Sequence, residues 1–145
     1  MNPVGKSVSF FQPVSKTNGA TAAGYIDRLG YDYLLANVDA SSPDVVSNKP
    51  SVLKLSHSDI TDATGFSDIS GFVGGTDFTV ANGLTTTTVA NTYQFGVDLI
   101  GKKRYIKVSV SPVTTQVLAA NGFLFKGKQT PDTASEAGVL NLVTG

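Results

Sequence analysis

Few side chains in this sequence could carry a reaction. His57 is the single histidine and there is no cysteine. A general base needs an oriented partner and a nucleophile within hydrogen-bond reach. Ser56 and Ser58 flank His57, but the stretch alternates as a strand does, and adjacent strand residues point to opposite faces. His57 therefore reads as a surface histidine on the polar-facing side of a strand. Gly5-Lys6-Ser7 matches the end of a phosphate-binding loop. The full motif needs a glycine five residues earlier and a helix after it, and neither is present. Asp59, Asp62 and Asp68 fall in turn-like stretches. They lack the alternating acidic spacing and closing glutamate of a helix-loop calcium site, and read as turn formers that accept bonds from nearby amides. Without cysteine, disulfides and thiolate metal sites are excluded. No catalytic residue, metal set or cofactor is expected, and the chain does not read as an enzyme.

Chemistry that binds rather than turns over is better represented. Between Ile100 and Gln129 stand Lys102, Lys103, Arg104, Lys107, Lys126 and Lys128, with no acid. Lysines on sheet edges prevent pairing with strangers; the same cluster could meet an acidic protein surface. Nucleic acid is disfavoured, because the net charge is zero and no ribonucleoprotein motif is present. Phe10 and Phe11 are adjacent. On a regular strand they face opposite sides, so either the domain covers both or one ring packs on a partner. Tyr25, Tyr31, Tyr33, Tyr93 and Tyr105 could form an aromatic platform for a sugar, although tyrosine is also an ordinary strand residue. Near the C-terminus, Val139, Leu140, Leu142 and Val143 form a segment apolar enough to dock on its own domain or on a neighbour.

The elements that must position these groups are strands. The chain has 145 residues, a length that fits one domain. It has one glutamate and one methionine among fifteen glycines and six prolines. Strong helix formers are scarce where β-branched residues abound. Leucines alternate with polar residues over 52–58, and Ile106, Val108 and Val110 share one face of 105–111, the period of a half-buried strand. Strands are expected at 8–14, 22–29, 33–39, 51–58, 66–69, 78–81, 93–99 and 105–111, with a ninth segment at 117–127. Asn18-Gly19, Asn82-Gly83 and Asn121-Gly122 supply turn chemistry; the last falls inside the ninth segment, which implies a hairpin or a bulge there. Residues 83–91 read as a long loop. Residues 1–20 read as an N-terminal arm with the first strand, and 129–145 as a C-terminal tail. Leu99-Ile100-Gly101-Lys102-Lys103-Arg104 reads as a hairpin turn between two alternating strands. No apolar run reaches the length of a membrane span, and no membrane partner is expected. These features describe an all-β, single-domain antiparallel sandwich with extended ends.

Tyr25-Ile26-Asp27-Arg28-Leu29-Gly30-Tyr31-Asp32 and the run from Val97 to Val108, with Leu53-Lys54-Leu55-Ser56-His57-Ser58 and Gly65-Phe66-Ser67-Asp68-Ile69 between them, resemble the small capsid cement or decoration proteins of tailed bacteriophages. The resemblance spans residues 25–125 and consists of strand and turn chemistry. It implies a jelly-roll-like sandwich, made in the host cytoplasm, that binds the outside of the virion and bridges major capsid protein subunits. It also implies a homo-oligomer, a trimer before a dimer, since a symmetric shell repeats one weak contact. Expected contact residues are Phe10 and Phe11, Lys102, Lys103 and Arg104, and Val139, Leu140, Leu142 and Val143. The rival reading is a carbohydrate-binding or adhesive sandwich of a tail or surface appendage.

Overall fold

A strand that alternates apolar and polar residues is stable only when a second layer covers its apolar face. In the computed structural model, which describes residues 5–43, 48–83, 91–126 and 140–145, two sheets cover each other in this way. The strands are β1 (Gly5–Lys16), β2 (Ala22–Asp27), β3 (Tyr33–Ala40), β4 (Val52–Ser58), β5 (Ser67–Val73), β6 (Asn91–Asp98), β7 (Tyr105–Ser111), β8 (Gln116–Phe125) and β9 (Asn141–Thr144). A single 3-10 turn, Ala63–Gly65, is the one helical element among the described residues.

One sheet has the order β1-β8-β3-β6-β9 and the other β2-β7-β4-β5. β1 pairs with β8, β2 with β7, β3 with β6 and β4 with β5, each antiparallel. The first eight strands are thus one long two-stranded ribbon, rolled until β3 also meets β8 and β4 also meets β7. This wiring is a jelly roll. β9 adds to the first sheet, parallel to β6.

The core fills the gap between the sheets. Leu34, Val38, Phe95, Val97, Leu118 and Leu124 enter from the first sheet, and Leu53, Leu55, Ile106, Val108 and Val110 from the second. Each large side chain so buried stabilises by roughly 1.5–3 kcal/mol. Phe72 on β5 and Phe95 on β6 meet with ring centroids 6.2 Å apart, and Phe78 packs edge-on to Phe95 at 5.9 Å. The Tyr93 hydroxyl, whose pKa burial pushes up to about 12, donates to the Ala81 carbonyl at 2.9 Å.

β1 carries two register shifts against β8, between Ser9 and Phe11 and between Phe11 and Val14. An inserted residue breaks strict alternation, and this answers the problem posed by two adjacent phenylalanines. Phe10 is buried in the core and Phe11, half-buried, also packs against it. The same bulge brings the Phe10 carbonyl against Gly24 of β2, so closely that a Cβ at Gly24 would lie inside the carbonyl's van der Waals surface.

Several local expectations change in this context. Asn121-Gly122 makes no hairpin. It lies within β8, which pairs on both sides, and Gly122 does not take a positive φ. Its glycine answers a steric need instead, since a Cβ there would sit 2.7 Å from the Leu35 carbonyl oxygen. The bulge belongs to the partner, β1. Residues 99–104 are no hairpin either, because β6 and β7 lie in different sheets. A hairpin and a crossover show the same local signature, and long-range pairing decides between them. Residues 78–81 form only an isolated bridge, Gly74 to Phe78; the Ala81 N–H donates to the Asn141 side chain at 2.7 Å rather than to a ladder. The N-terminal segment from Gly5 is the first strand, and of the two surfaces open to the tail, its described residues 140–145 take that of their own domain, as β9. Of the expected 83–91 loop, residues 84–90 lie outside the described residues.

Gly24→Ala is expected to destabilise the fold by about 3 kcal/mol or more, the upper range for overpacking against backbone. Urea denaturation of the two proteins measures it; a change within about 0.5 kcal/mol would show that β1 and β2 do not need this close approach.

Candidate docking surface at one end of the sandwich

Three loops, 28–32, 59–66 and 99–104, leave the sheets at the same end of the sandwich. Leu99 is fully buried and anchors the third of them, its N–H donating to the Asp32 carbonyl at 2.9 Å. Gly101, with φ 78°, lets the loop reverse, and the Lys102 N–H closes it on the Leu99 carbonyl at 3.0 Å.

Side chains from the other loops then hold the 102–104 segment. The Arg28 N–H donates to the Arg104 carbonyl at 3.0 Å. The Arg28 guanidinium donates through Nε to the Lys103 carbonyl at 3.2 Å and through Nη2 to the Lys102 carbonyl. A planar fork matches two successive carbonyls as an ammonium cannot. The Arg104 guanidinium pairs with Asp27, at 3.1 Å from Nε to Oδ1 and 2.7 Å from Nη2 to Oδ2. These bonds hold the Asp27 carboxyl below its ordinary range and raise Arg104 in turn. The Arg104 N–H donates to Asp59 Oδ1 at 3.3 Å, and the Lys103 N–H donates to His57 Nδ1 at 3.2 Å.

This arrangement divides the basic residues by role. Arg104 is half of an ion pair and Arg28 is a clamp. Lys102 and Lys103 make no ion pair among the described residues, and Lys103 is exposed. Three of the nearby carboxylates accept bonds from these loops, Asp27 from Arg104 and the Leu29 N–H, Asp59 from the Arg104 N–H, and Asp98 from the Ile100 N–H, and Asp32 stands exposed. Beside the lysines, three aliphatic side chains stand in water: Ile100 is 75% exposed, Leu29 66% and Ile60 55%. Exposed apolar side chains on an ordered frame, with lysines free of ion pairs beside them, make this end a candidate protein-binding surface.

The other expected contact residues lie elsewhere. Phe10 is in the core and Val143 is 9% exposed, so neither ring nor side chain can be offered to another molecule without opening the domain. Phe11 and Leu140 are half-buried against the core, and the Leu140 N–H donates to the Thr92 carbonyl at 2.8 Å. Leu142 is half-buried opposite Gln94 on β6. Val139 lies outside the described residues. His57 is also reassigned. Its register opposite Ile106 puts it on the side of Leu53 and Leu55, at the mouth of the core and half-buried, not on the polar face.

Sequence reasoning missed Asp27, Arg28, Leu29, Asp59 and Ile60. Asp27 and Arg104 are 77 residues apart, and no local pattern links them; the exposed aliphatics in turns were the only available signal.

Two further features bear on chemistry. On the outer face of the second sheet, Tyr25 lies 5.8 Å from Phe66 and 5.8 Å from Tyr105 between ring centroids, and Lys107 Nζ sits 4.4 Å over the Phe66 ring. Tyr33 and Tyr93 are buried and belong to no platform. At the opposite end, a cleft of about 550 Å³ is lined by Lys49, Pro50, Asp77 and Phe78 among others. The Asp77 carboxylate there accepts the Gly71 and Val73 N–H groups at 2.9 and 3.0 Å, a structural task. Among the described residues, no three histidine, aspartate or glutamate side chains gather as a metal set would. Compared with protein-family models, with curated proteins and with solved structures, the chain matches none.

Arg28→Ala is expected to cost about 1 kcal/mol through the lost clamp, with Arg28→Lys recovering less than half. Lys103→Ala should change stability by less than about 0.5 kcal/mol. Denaturant unfolding of the three variants separates clamp from free cation, and equal losses would erase the distinction.

Proposed function

We propose that this protein is a structural component of a phage virion, which binds the outside of the capsid and bridges major capsid protein subunits. The observation that carries the reading is the stitched end of the sandwich. Leu29, Ile60 and Ile100 stand exposed beside two lysines without ion pairs, on loops fixed by Arg28, Asp27, His57 and Asp59. Ordering such loops in advance removes part of the entropy lost on binding. A partner surface with apolar hollows and acidic residues fits this end, and the lysines set its orientation. Binding the assembled shell and not its free subunits stabilises the shell by mass action. Self-association into a trimer, or next a dimer, would multiply a modest contact around a symmetry axis. The jelly roll is compatible with this role and does not by itself imply it.

A second reading draws on the Tyr25, Phe66 and Tyr105 cluster. The exposed Tyr25 ring, with half-buried Phe66 and Tyr105 against it and Lys107 and the Asp27–Arg104 pair beside it, supplies the parts of a sugar platform: an aromatic face for C–H groups and polar groups for hydroxyls.

Replacing Lys102 and Lys103 together with glutamate should lower occupancy on particles stripped of the protein by about tenfold, the equivalent of ~1.4 kcal/mol, and more at low salt. Co-sedimentation at matched folded concentration measures this, and undiminished occupancy excludes the lysines from the contact. A glycan array on the wild type and on Tyr25→Ala tests the second reading: signal on the wild type, lost in the variant, would favour it over the first.

A further inference from the structure

His57 is the single histidine of the chain. It stands where the 99–104 loop is held by a ring nitrogen. The Lys103 N–H donates to Nδ1 at 3.2 Å, so this nitrogen must carry a lone pair and the ring proton must lie on Nε2. A proton added to Nδ1 would set two donors face to face, Nδ1–H against the Lys103 N–H. The other bonds on this segment hold other groups: the Asp59 carboxylate receives the Arg104 N–H, and the Arg28 fork holds the carbonyls of Lys102 and Lys103, not their N–H groups.

We propose that His57 is a protonation-sensitive latch: its neutral ring holds the Lys103 N–H against β4, and its protonation releases that bond. That release would weaken docking through Lys102 and Lys103; this consequence, though not the latch itself, rests on the capsid-binding reading above.

The charges around the ring favour the neutral, latched form. Lys102 and Lys103 face it from the same loop that it holds, while Asp59, just past the end of β4, opposes them. Arg104 is neutralised by Asp27 from β2; on the flanking strands the ring lies opposite Ile106 of β7 and Ser67 of β5, neither of which titrates. Half-burial first, and then the two lysines, hold the His57 pKa below its ordinary 6.5. The neutral ring thus contributes stability fully above about 6.5, and that contribution is lost as pH falls through the lowered value.

Amide and ring NMR of the whole chain between pH 7.5 and 4.5 tests the latch. The Lys103 amide should titrate with the same midpoint as the His57 ring, below 6.5, and its protection against exchange should fall roughly five- to tenfold, the equivalent of one hydrogen bond. His57→Gln keeps an acceptor without a titrating group and should abolish the step. A Lys103 amide indifferent to ring protonation overturns the proposal, as does an unchanged step in a folded His57→Gln protein; if that variant does not fold, the wild-type titration alone decides. Particle binding at pH 7 and pH 5 separates the two ideas. An amide that titrates while occupancy stays constant supports the latch and refutes its coupling to docking.

Discussion

The gap between the two sheets is the constraint from which the rest follows. Strand residues alternate by side, so each of the nine strands must turn one row of side chains toward that gap, and every row must fit the rows opposite. Where the chain cannot satisfy this by alternation alone, it changes its own geometry. β1 inserts residues near Phe10 and thereby brings two successive rings to the core. The displaced backbone is accommodated because β2 has a glycine where it passes. Leu99 closes the gap from one end, and it is this buried residue that fixes where the exposed Ile100 and the free lysines stand. Core packing and the candidate docking surface are thus consecutive residues of one loop.

Sealing the faces leaves the problem of the edges, and each is handled by a different device. β1 has Pro13, which has no N–H to offer, and its bulges interrupt a regular ladder. β2 is approached at Gly24 by β1 itself. On β5 the Asp77 carboxylate takes the N–H groups of Gly71 and Val73. Beside β9, the Asn141 side chain bonds both the Ala81 N–H and the Thr79 carbonyl. A partner that added a strand would have to displace one of these contacts. That favours recognition by the loop ends and outer faces over β-augmentation.

The inward rows of β4 and β7 were legible in the sequence, because alternation with period two is a local signal and its physical cause is local. The turn at Asn18-Gly19 was legible for the same reason, and Gly19 takes the positive φ, 76°, that the pair permits. Asn121-Gly122 carries the same letters and forms no turn, because pairing on both sides of β8 outweighs a preference of a few tenths of a kcal/mol to about 1 kcal/mol. The placement of His57 failed for a different reason. Strict counting from Leu53 and Leu55 already puts it on their side; its polarity concealed this, because the mouth of a core tolerates a half-buried imidazole that the middle does not. As for the docking end, its two lysines were visible as charge, but the division of labour between them and Arg104 depends on Asp27 and Arg28, which the roll of the ribbon brings from far away in sequence.

A neutral protein gains no general attraction to an acidic surface, so the distribution of its charge matters more than the sum. Here the carboxylates nearest the 102–104 segment bond to backbone N–H groups and to one guanidinium, which anchors them toward the body of the loops. The ammonium groups of Lys102 and Lys103 have no such anchor among the described residues. Ion pairs on a surface add little to stability, yet the Arg104–Asp27 pair and the Arg28 fork determine which cations remain outward. Their value is therefore geometric: they convert a run of three basic residues into two free charges that project from a fixed backbone, at the same end as three exposed aliphatic side chains. A surface built this way can distinguish partners by position as well as by charge.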